Sequence, residues 1–402
     1  MRRAIPILFS SLLASPIMAA TINFGPNGCS LADAIRSANQ DSAVGNCSAG
    51  SDTDMLIAPD GWSIRLNSNL PDITSDITLR TETTAGQLEL SGGNSRPILR
   101  ITGSGTDVNI QRVEFREGRK GGVLNGGGAA LNIRDATVSI LDSEFNANIV
   151  DADDGGAINI RNGVLVMRRT SLRNNWTRQA FVGDNRGGGI YARDSIVDLD
   201  EVFFDDNSAL QSNPEEGGTT LSEGLFMDGG ELTMDRSLVL ELYRGIRAIN
   251  GAEIDITNST FEDSDLGYRD ISKLDVQGPA FVRLNHVTMS AKMSIRDAIL
   301  EGTNSVFTTC VLTGTNWIID SANRYFNNEC NGPEQWPGLI DLADNGGFTK
   351  TRASVAPSSV VDAGDPTYCT ATDQRGEPRD ANCDIGAYEL SPTADLRASV
   401  TL

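Results

Sequence analysis

The chain has 402 residues, with 54 acidic side chains against 33 basic ones and a formal net charge of −21. That excess speaks against nucleic acid and anionic lipid as partners, since both are polyanions attracted by Lys/Arg clusters. No stretch approaches the run of about 18 apolar residues that a membrane-spanning helix needs.

Residues 1–20 read as a signal peptide. Arg2 and Arg3 form a positive start, Ile5 to Ala14 a short apolar run, and Ala19-Ala20 a small-residue cleavage site. An exported chain is therefore expected, and its cysteines should be oxidised. They fall as local pairs, Cys29 with Cys47, Cys310 with Cys330 and Cys369 with Cys383. Of the pairings that six cysteines allow, this nearest-neighbour set is the expected one. A metal site is the weaker reading, because there is no Cys-x-x-Cys and a single histidine, His286.

Residues 21–85 are expected to hold an N-terminal cap and the first rungs of a repeat. Ser30 can cap a short helix with Asp33 answering it, and Leu31, Ala34, Ile35 and Ala38 form one apolar stripe.

Over 86–332 an apolar triad recurs. Taking a large residue as zero, two more stand seven and five positions earlier. Val108 and Ile110 precede Phe115, Val138 and Ile140 precede Phe145, and Leu165 and Met167 precede Leu172. Val197 and Leu199 precede Phe204, Leu232 and Met234 precede Val239, Ile254 and Ile256 precede Phe261, and Val282 and Leu284 precede Met289. The local period is two and the intervals vary within the solenoid range, so each copy carries strands and its inserted loops differ in length. Ser143, Ser237 and Ser259 lie where the chain must bend, and glycine pairs such as Gly155-Gly156 suit tight corners. The fold class that follows is all-β: a right-handed parallel β-helix with a short N-terminal helical cap and a disulfide-containing C-terminal cap.

Three resemblances accompany this reading. Gly155-Gly-Ala-Ile158 and Phe145-Asn-Ala-Asn148, with weaker copies at Gly188-Gly-Ile-Tyr191 and Phe204 to Asn207, resemble the repeats of polymorphic outer-membrane proteins. Cys29-Ser-Leu-Ala-Asp-Ala-Ile35 resembles the CSLREA-type segment that opens many bacterial surface β-helix proteins, with Ala32-Asp33 replacing its charged pair. Residues 333–390 carry Asn345-Gly-Gly-Phe-Thr349, Val361-Asp-Ala-Gly-Asp365, Asp373-Gln-Arg-Gly376 and Cys383-Asp-Ile-Gly-Ala-Tyr-Glu389, an order similar to the choice-of-anchor Q module. These resemblances imply a secreted or surface-displayed protein. No apolar tail follows in 391–402, so a released chain, one held by a partner or a truncated sequence is expected; a monomer is expected as well.

Parallel β-helices also serve polysaccharide lyases and hydrolases; a hydrolase needs two or three carboxylates on adjacent rungs, and a calcium-dependent pectate lyase needs clustered aspartates with an arginine base. The candidates are Asp151, Asp153, Asp154, Asp205 and Asp206. Against them, Asp in turns commonly satisfies local backbone donors. The Gly-His-Gly of polygalacturonases is absent, and Arg96-Pro97 is the sole approach to a pectate-lyase arginine. His286 is expected to point outward, and Trp176, Tyr191, Trp317 and Trp336 could stack on sugar rings if exposed. The basic run Arg116 to Lys120 is too short for nucleic acid. The sequence thus favours a non-enzymatic surface β-helix acting in adhesion or envelope contact, with an unknown cell-surface or carbohydrate partner. A carbohydrate-active enzyme is the alternative. No catalytic residue, cofactor or tight metal is assigned, and loosely bound calcium is the one ion the acidic turns suit.

Overall fold

Stacked strands account for nearly all of the regular structure. In the computed structural model the strands pair in parallel from rung to rung, apart from one antiparallel hairpin at the margin. The coil is right-handed, as crossovers between parallel strands are. The structure describes residues 19–121, 126–178, 185–213, 218–241, 244–263, 272–325, 330, 337–355 and 357–391. The apolar start of the expected signal peptide, Trp336 and the tail from 392 lie outside them. No helix among the described residues is long and apolar enough to cross a membrane.

One rung shows the plan. A first-side strand Leu131–Arg134 is followed by a second-side strand Thr137–Leu141, a third-side strand Glu144–Asn146 and an outlying fourth-side strand Ile149–Asp151. The next rung repeats this as Ile158–Arg161, a continuous Val164–Arg173 covering two sides, and Trp176–Arg178.

The apolar triad stacks in register. Val108, Val138, Leu165, Val197, Leu232, Ile254 and Val282 are successive partners on the second side. Phe115, Phe145, Leu172, Phe204, Val239, Phe261 and Met289 are successive partners on the third. All are buried, and Phe115 and Phe145 stack with ring centroids 4.8 Å apart. A further inward column, which the triad does not include, runs along the first side through Leu99, Leu131, Ile158, Ile190, Leu225, Ile246, Leu274 and Met293. Burial of these columns drives the coil shut.

Corners are set by local chemistry. Asp142, Arg236 and Asn258 adopt positive φ just before Ser143, Ser237 and Ser259. Ser143 Oγ donates to Leu141 O at 2.8 Å and accepts the Val113 N–H of the preceding rung at 3.2 Å. In the Gly155-Gly156 pair the first glycine supplies φ +73 and the second allows close approach: a Cβ on Gly156 would stand 2.7 Å from the Trp176 backbone. The asparagines ending the Phe145 and Phe204 motifs form an internal ladder with Asn175. Asn148 Nδ2 donates to Asn175 Oδ1 (2.9 Å), Asn175 Nδ2 to Asn207 Oδ1 (2.8 Å), and Asn207 Nδ2 to Glu241 Oε1 (2.8 Å). The same amides donate to Phe115 O, Phe145 O and Leu172 O, so each rung is tied to the one before.

The N-terminal helix spans Leu31–Gln40 and buries Leu31, Ala34, Ile35 and Ala38. Ser30 Oγ accepts the Asp33 N–H at 3.1 Å, and Cys29 is bonded to Cys47. Asn39 fastens the helix to the following rung by donating to Asp72 O (2.7 Å) and accepting the Thr74 N–H (2.9 Å). The pairs Cys310–Cys330 and Cys369–Cys383 are also joined, as the spacing suggests.

The C-terminal segment takes an unforeseen position. Its described contacts run along the flank of the last rungs rather than across the open end. Thr349 Oγ1 donates to Arg236 O, Arg352 pairs with Glu262, Gln374 accepts from Thr260, and the Ala387 N–H donates to Thr288 Oγ1. At its centre Arg379 is wholly enclosed, reaching Glu389 (2.9 Å), Asn258, Thr370 and the carbonyls of Asp384 and Gly386.

Two outcomes follow. Asn175→Ala strands the Asn148 amide groups inside the coil and should lower stability by about 3 kcal/mol, read as the urea midpoint against an exposed control, Thr233→Ala. Arg379→Ala leaves Glu389 unpaired at a cost of about 3–5 kcal/mol. Limited proteolysis should then cut within 337–390 while the rungs stay resistant.

Candidate functional site

The five candidate aspartates sit at two different corners. Asp151 ends the fourth-side strand and its Oδ2 accepts from Arg119 Nε at 2.8 Å. Asp153 and Asp154 form the turn into the next first-side strand, where Asp153 Oδ1 accepts the Asp154 N–H (2.9 Å). Asp154 Oδ1 accepts the Arg186 N–H at 3.0 Å, and Arg161 stands 3.9 Å from Oδ2. Burial, with the Asp153 charge adding to it, lifts Asp154 to about 6. Asp205 and Asp206 instead leave the third side, Asp206 at φ 53. Burial raises both, and Arg173 and Lys350 oppose the rise at Asp205. No hydrogen bond or ion pair links the two groups among the described residues.

His286 corrects one expectation. It does leave the coil at a positive-φ corner, φ 54, yet it is not exposed, because the C-terminal segment folds over it. Its Nε2 accepts from Asn304 Nδ2 at 3.2 Å and stands 3.7 Å from Cys383 Sγ. Burial, with the Arg379 charge nearby, drives it down to about 3, so the ring is neutral. His286, Cys369 and Cys383 are grouped tightly enough to suggest metal ligands. The two sulfurs are bonded to each other, however, and a metal is held by thiolates.

The aromatic candidates are also placed. Tyr191 is 3% exposed and its hydroxyl donates to Asp228 Oδ2 at 3.1 Å, so no sugar ring can stack on it as it stands. Trp176 is half-buried on the fourth side. The side chain of Trp317 and the whole of Trp336 fall outside the description.

What the sequence reading missed is the outer face of the first side. Asn132, Asn159, Tyr191, Phe226, Arg247 and Asp275 form one outward column, and Arg134, Arg161, Arg193 and Asp228 form the next. Tyr191 and Phe226 stack at 5.8 Å. Arg161 lies over Tyr191, while Arg186 and Arg247 lie over Phe226 at 4.9 and 5.7 Å. Beneath them Glu223 is fully buried. Its Oε1 accepts the Gly187 N–H at 3.3 Å, and desolvation lifts it to about 7 against the opposing charges of Arg247 and Arg244. The face is therefore cationic and aromatic on a protein that is acidic overall, and perturbed acids in such settings mark candidate functional sites. A signal was available: Leu131-Asn-Ile-Arg134 and Ile158-Asn-Ile-Arg161 are near-copies that place arginine at the same rung position.

Comparison with known proteins gives no family: no family model and no curated protein matches the chain. Among solved structures, the crystal structure of pectate lyase Pel9A is 10% identical over 92% of this chain and 96% of that one, with a TM-score of 0.37. At that distance no residue role passes from one to the other. The β-helix assignment rests on the rung pairing itself.

The buried acids set a pH response. A carboxyl whose folded value lies above its unfolded one gives stability that is whole at low pH and is lost as pH climbs through the folded value. For Glu223 that loss falls between about pH 5 and 7, and Asp154 and Asp384, lifted to about 6 and about 7, add to it in the same direction. Glu223→Gln should reduce the fall in unfolding free energy over this interval by up to roughly 1.4 kcal/mol per pH unit, read from thermal melts at stepped pH.

Proposed function

We propose that this chain is an exported β-helix that acts by binding at a cell surface or envelope, and that its partner is a glycan. The observation that carries the reading is the separation of the carboxylates. Hydrolysis of a glycosidic bond needs two of them across one bond. Here Asp153 and Asp154 belong to the turn into the first side, and Asp205 and Asp206 to the turn out of the third. Resemblance to surface β-helix proteins with CSLREA-type and choice-of-anchor Q segments supports display outside the cell. So do the signal-like start and the three disulfides. The first-side face offers guanidinium groups and a cavity where a polar polymer can lie.

One observation favours a second reading, a carbohydrate-active enzyme. Asp154, lifted to about 6, is close to the range of a general acid at neutral pH. Arg161 and Arg186 stand beside it.

Both readings meet in one experiment. Purified protein is titrated onto isolated cell envelopes and extracted polysaccharides, and the same mixtures are assayed for new reducing ends and unsaturated products, with and without calcium. Saturable binding without turnover is expected. Robust turnover that disappears in Asp154→Asn would overturn the binding role in favour of the enzyme.

A further inference from the structure

The first-side face begins at a cavity of about 250 Å³, lined by Arg100, Lys120, Asn132, Asn69, Leu70 and Pro97 among others. Three successive rungs build it. Arg100 and Asn132 are register neighbours on the first side, and Lys120 comes from the fourth-side strand Arg119–Gly121. The basic run Arg116 to Lys120 is too short to act alone, but stacking adds charges from elsewhere in the chain. Arg100, Arg134 and Arg161 all lie within electrostatic reach of the Lys120 ammonium. Arg96 holds the near wall by donating to Asn69 Oδ1 at 3.3 Å.

The acids nearby are fewer. Asp72 pairs with Arg100 at 3.1 Å, Asp153 faces Lys120, and Asp154 stands 3.9 Å from Arg161. Five cations against three carboxylates leave this corner positive, although the whole chain carries −21. Concentrating like charge around a half-buried ammonium costs free energy, and burial together with those arginines holds Lys120 below its ordinary value. An anion placed among them removes that cost. Leu70 and Pro97 give the lining an apolar part that can meet the C–H face of a ring.

We infer that this cavity is a subsite for one anionic sugar unit, its carboxylate or sulfate between Arg100 and Lys120 and its ring against Leu70 and Pro97. Asn132 Nδ2 donates to Gly126 O and Gly127 O, and Lys120 Nζ to Gly127 O at 3.3 Å, so the amide shapes the wall and the charge comes from the two cations. The inference rests on the glycan-binding reading and names the class of glycan.

The test uses the full exported chain. Calorimetry compares a galacturonate trimer, a sulfated galactose trimer and neutral maltotriose, for the wild type and for Lys120→Met, Arg100→Gln and the second-side control Arg283→Gln. One or both anionic trimers should bind, and the stronger identifies the anion. Maltotriose should not bind, and Lys120→Met and Arg100→Gln should each weaken binding about tenfold or more while Arg283→Gln leaves it unchanged. Unaltered melting temperatures in both variants make a loss of affinity a loss of the site. Equal binding of maltotriose, or affinity untouched in both variants, overturns the subsite. If those results come with envelope binding intact, only the subsite fails. If envelope and polysaccharide binding are also absent, the glycan-binding reading fails with it.

Discussion

In-register parallel stacking is the constraint on which everything else depends. Each residue is set beside the residue at the same rung position above and below, about 4.8 Å away. Whatever a position carries is therefore repeated or answered in the next rung. Apolar positions stack into the continuous core, and Asn148, Asn175 and Asn207 stack into a ladder. Charged positions face the opposite demand, because like charges at that spacing repel. On the second side the answer is alternation: Asp255, Arg283 and Glu301 are successive partners, with Arg283 3.2 Å from Glu301. On the third side Glu89, Glu114 and Glu144 stack without alternation, and Glu114 is raised by burial and by both neighbours. Arg116 beside them, 3.5 Å from Glu89, offsets part of that repulsion.

The asparagine ladder shows how a column must end. Each amide oxygen takes donors from the rung before, and each amide nitrogen gives to that rung's carbonyl and to the rung after. The last member needs only to accept, and Glu241 does so, taking both the backbone N–H and Nδ2 of Asn207. The cost is a carboxyl enclosed in the coil and pushed well above its ordinary range by burial. At the other end Gly118 closes the ladder by donating its N–H to Asn148 Oδ1. A Cβ there would stand 2.5 Å from Ala129 O, so glycine is the residue that fits.

Legibility in the sequence followed the same logic. The second- and third-side columns could be read because apolar residues recur at fixed offsets within one rung, and the register confirms every member from Val108 to Met289. The helix capped by Ser30 was legible because its signals are local. Beyond the near-copies at Asn132 and Asn159 the first-side outer face was not, since from there its column changes identity at each step, from asparagine to tyrosine, phenylalanine, arginine and aspartate. Stacking gathers those residues, and no spacing rule within a rung reveals them. The path of the C-terminal segment was hidden for a related reason. Its anchors, such as Thr260 with Gln374 and Asn258 with Arg379, lie more than a hundred positions apart, in rungs whose outward residues look like ordinary surface. His286 points out of the coil as its position implies, and nothing near it in sequence foretells the segment that covers it.

The same geometry weighs on function. A net charge of −21 repels polyanions at long range, but that field decays over about 8 Å at physiological salt. Inside the first-side corner the nearest charges decide, and there guanidinium and ammonium groups from three rungs outnumber the acids. Such a surface disfavours indiscriminate capture of nucleic acid or anionic lipid, and still holds an anionic group that reaches the cavity. Selectivity then comes from shape: the apolar wall at Leu70 and Pro97 favours a ring bearing the charge over a bare ion. A rigid coil supplies that shape at little conformational cost, since its side chains are already fixed by the rungs above and below. Binding and catalysis part at this point. Holding one charged ring needs the corner alone, whereas hydrolysing a glycosidic bond beside it needs two carboxyl groups across that bond, and Asp205 and Asp206 belong to a different corner of the coil.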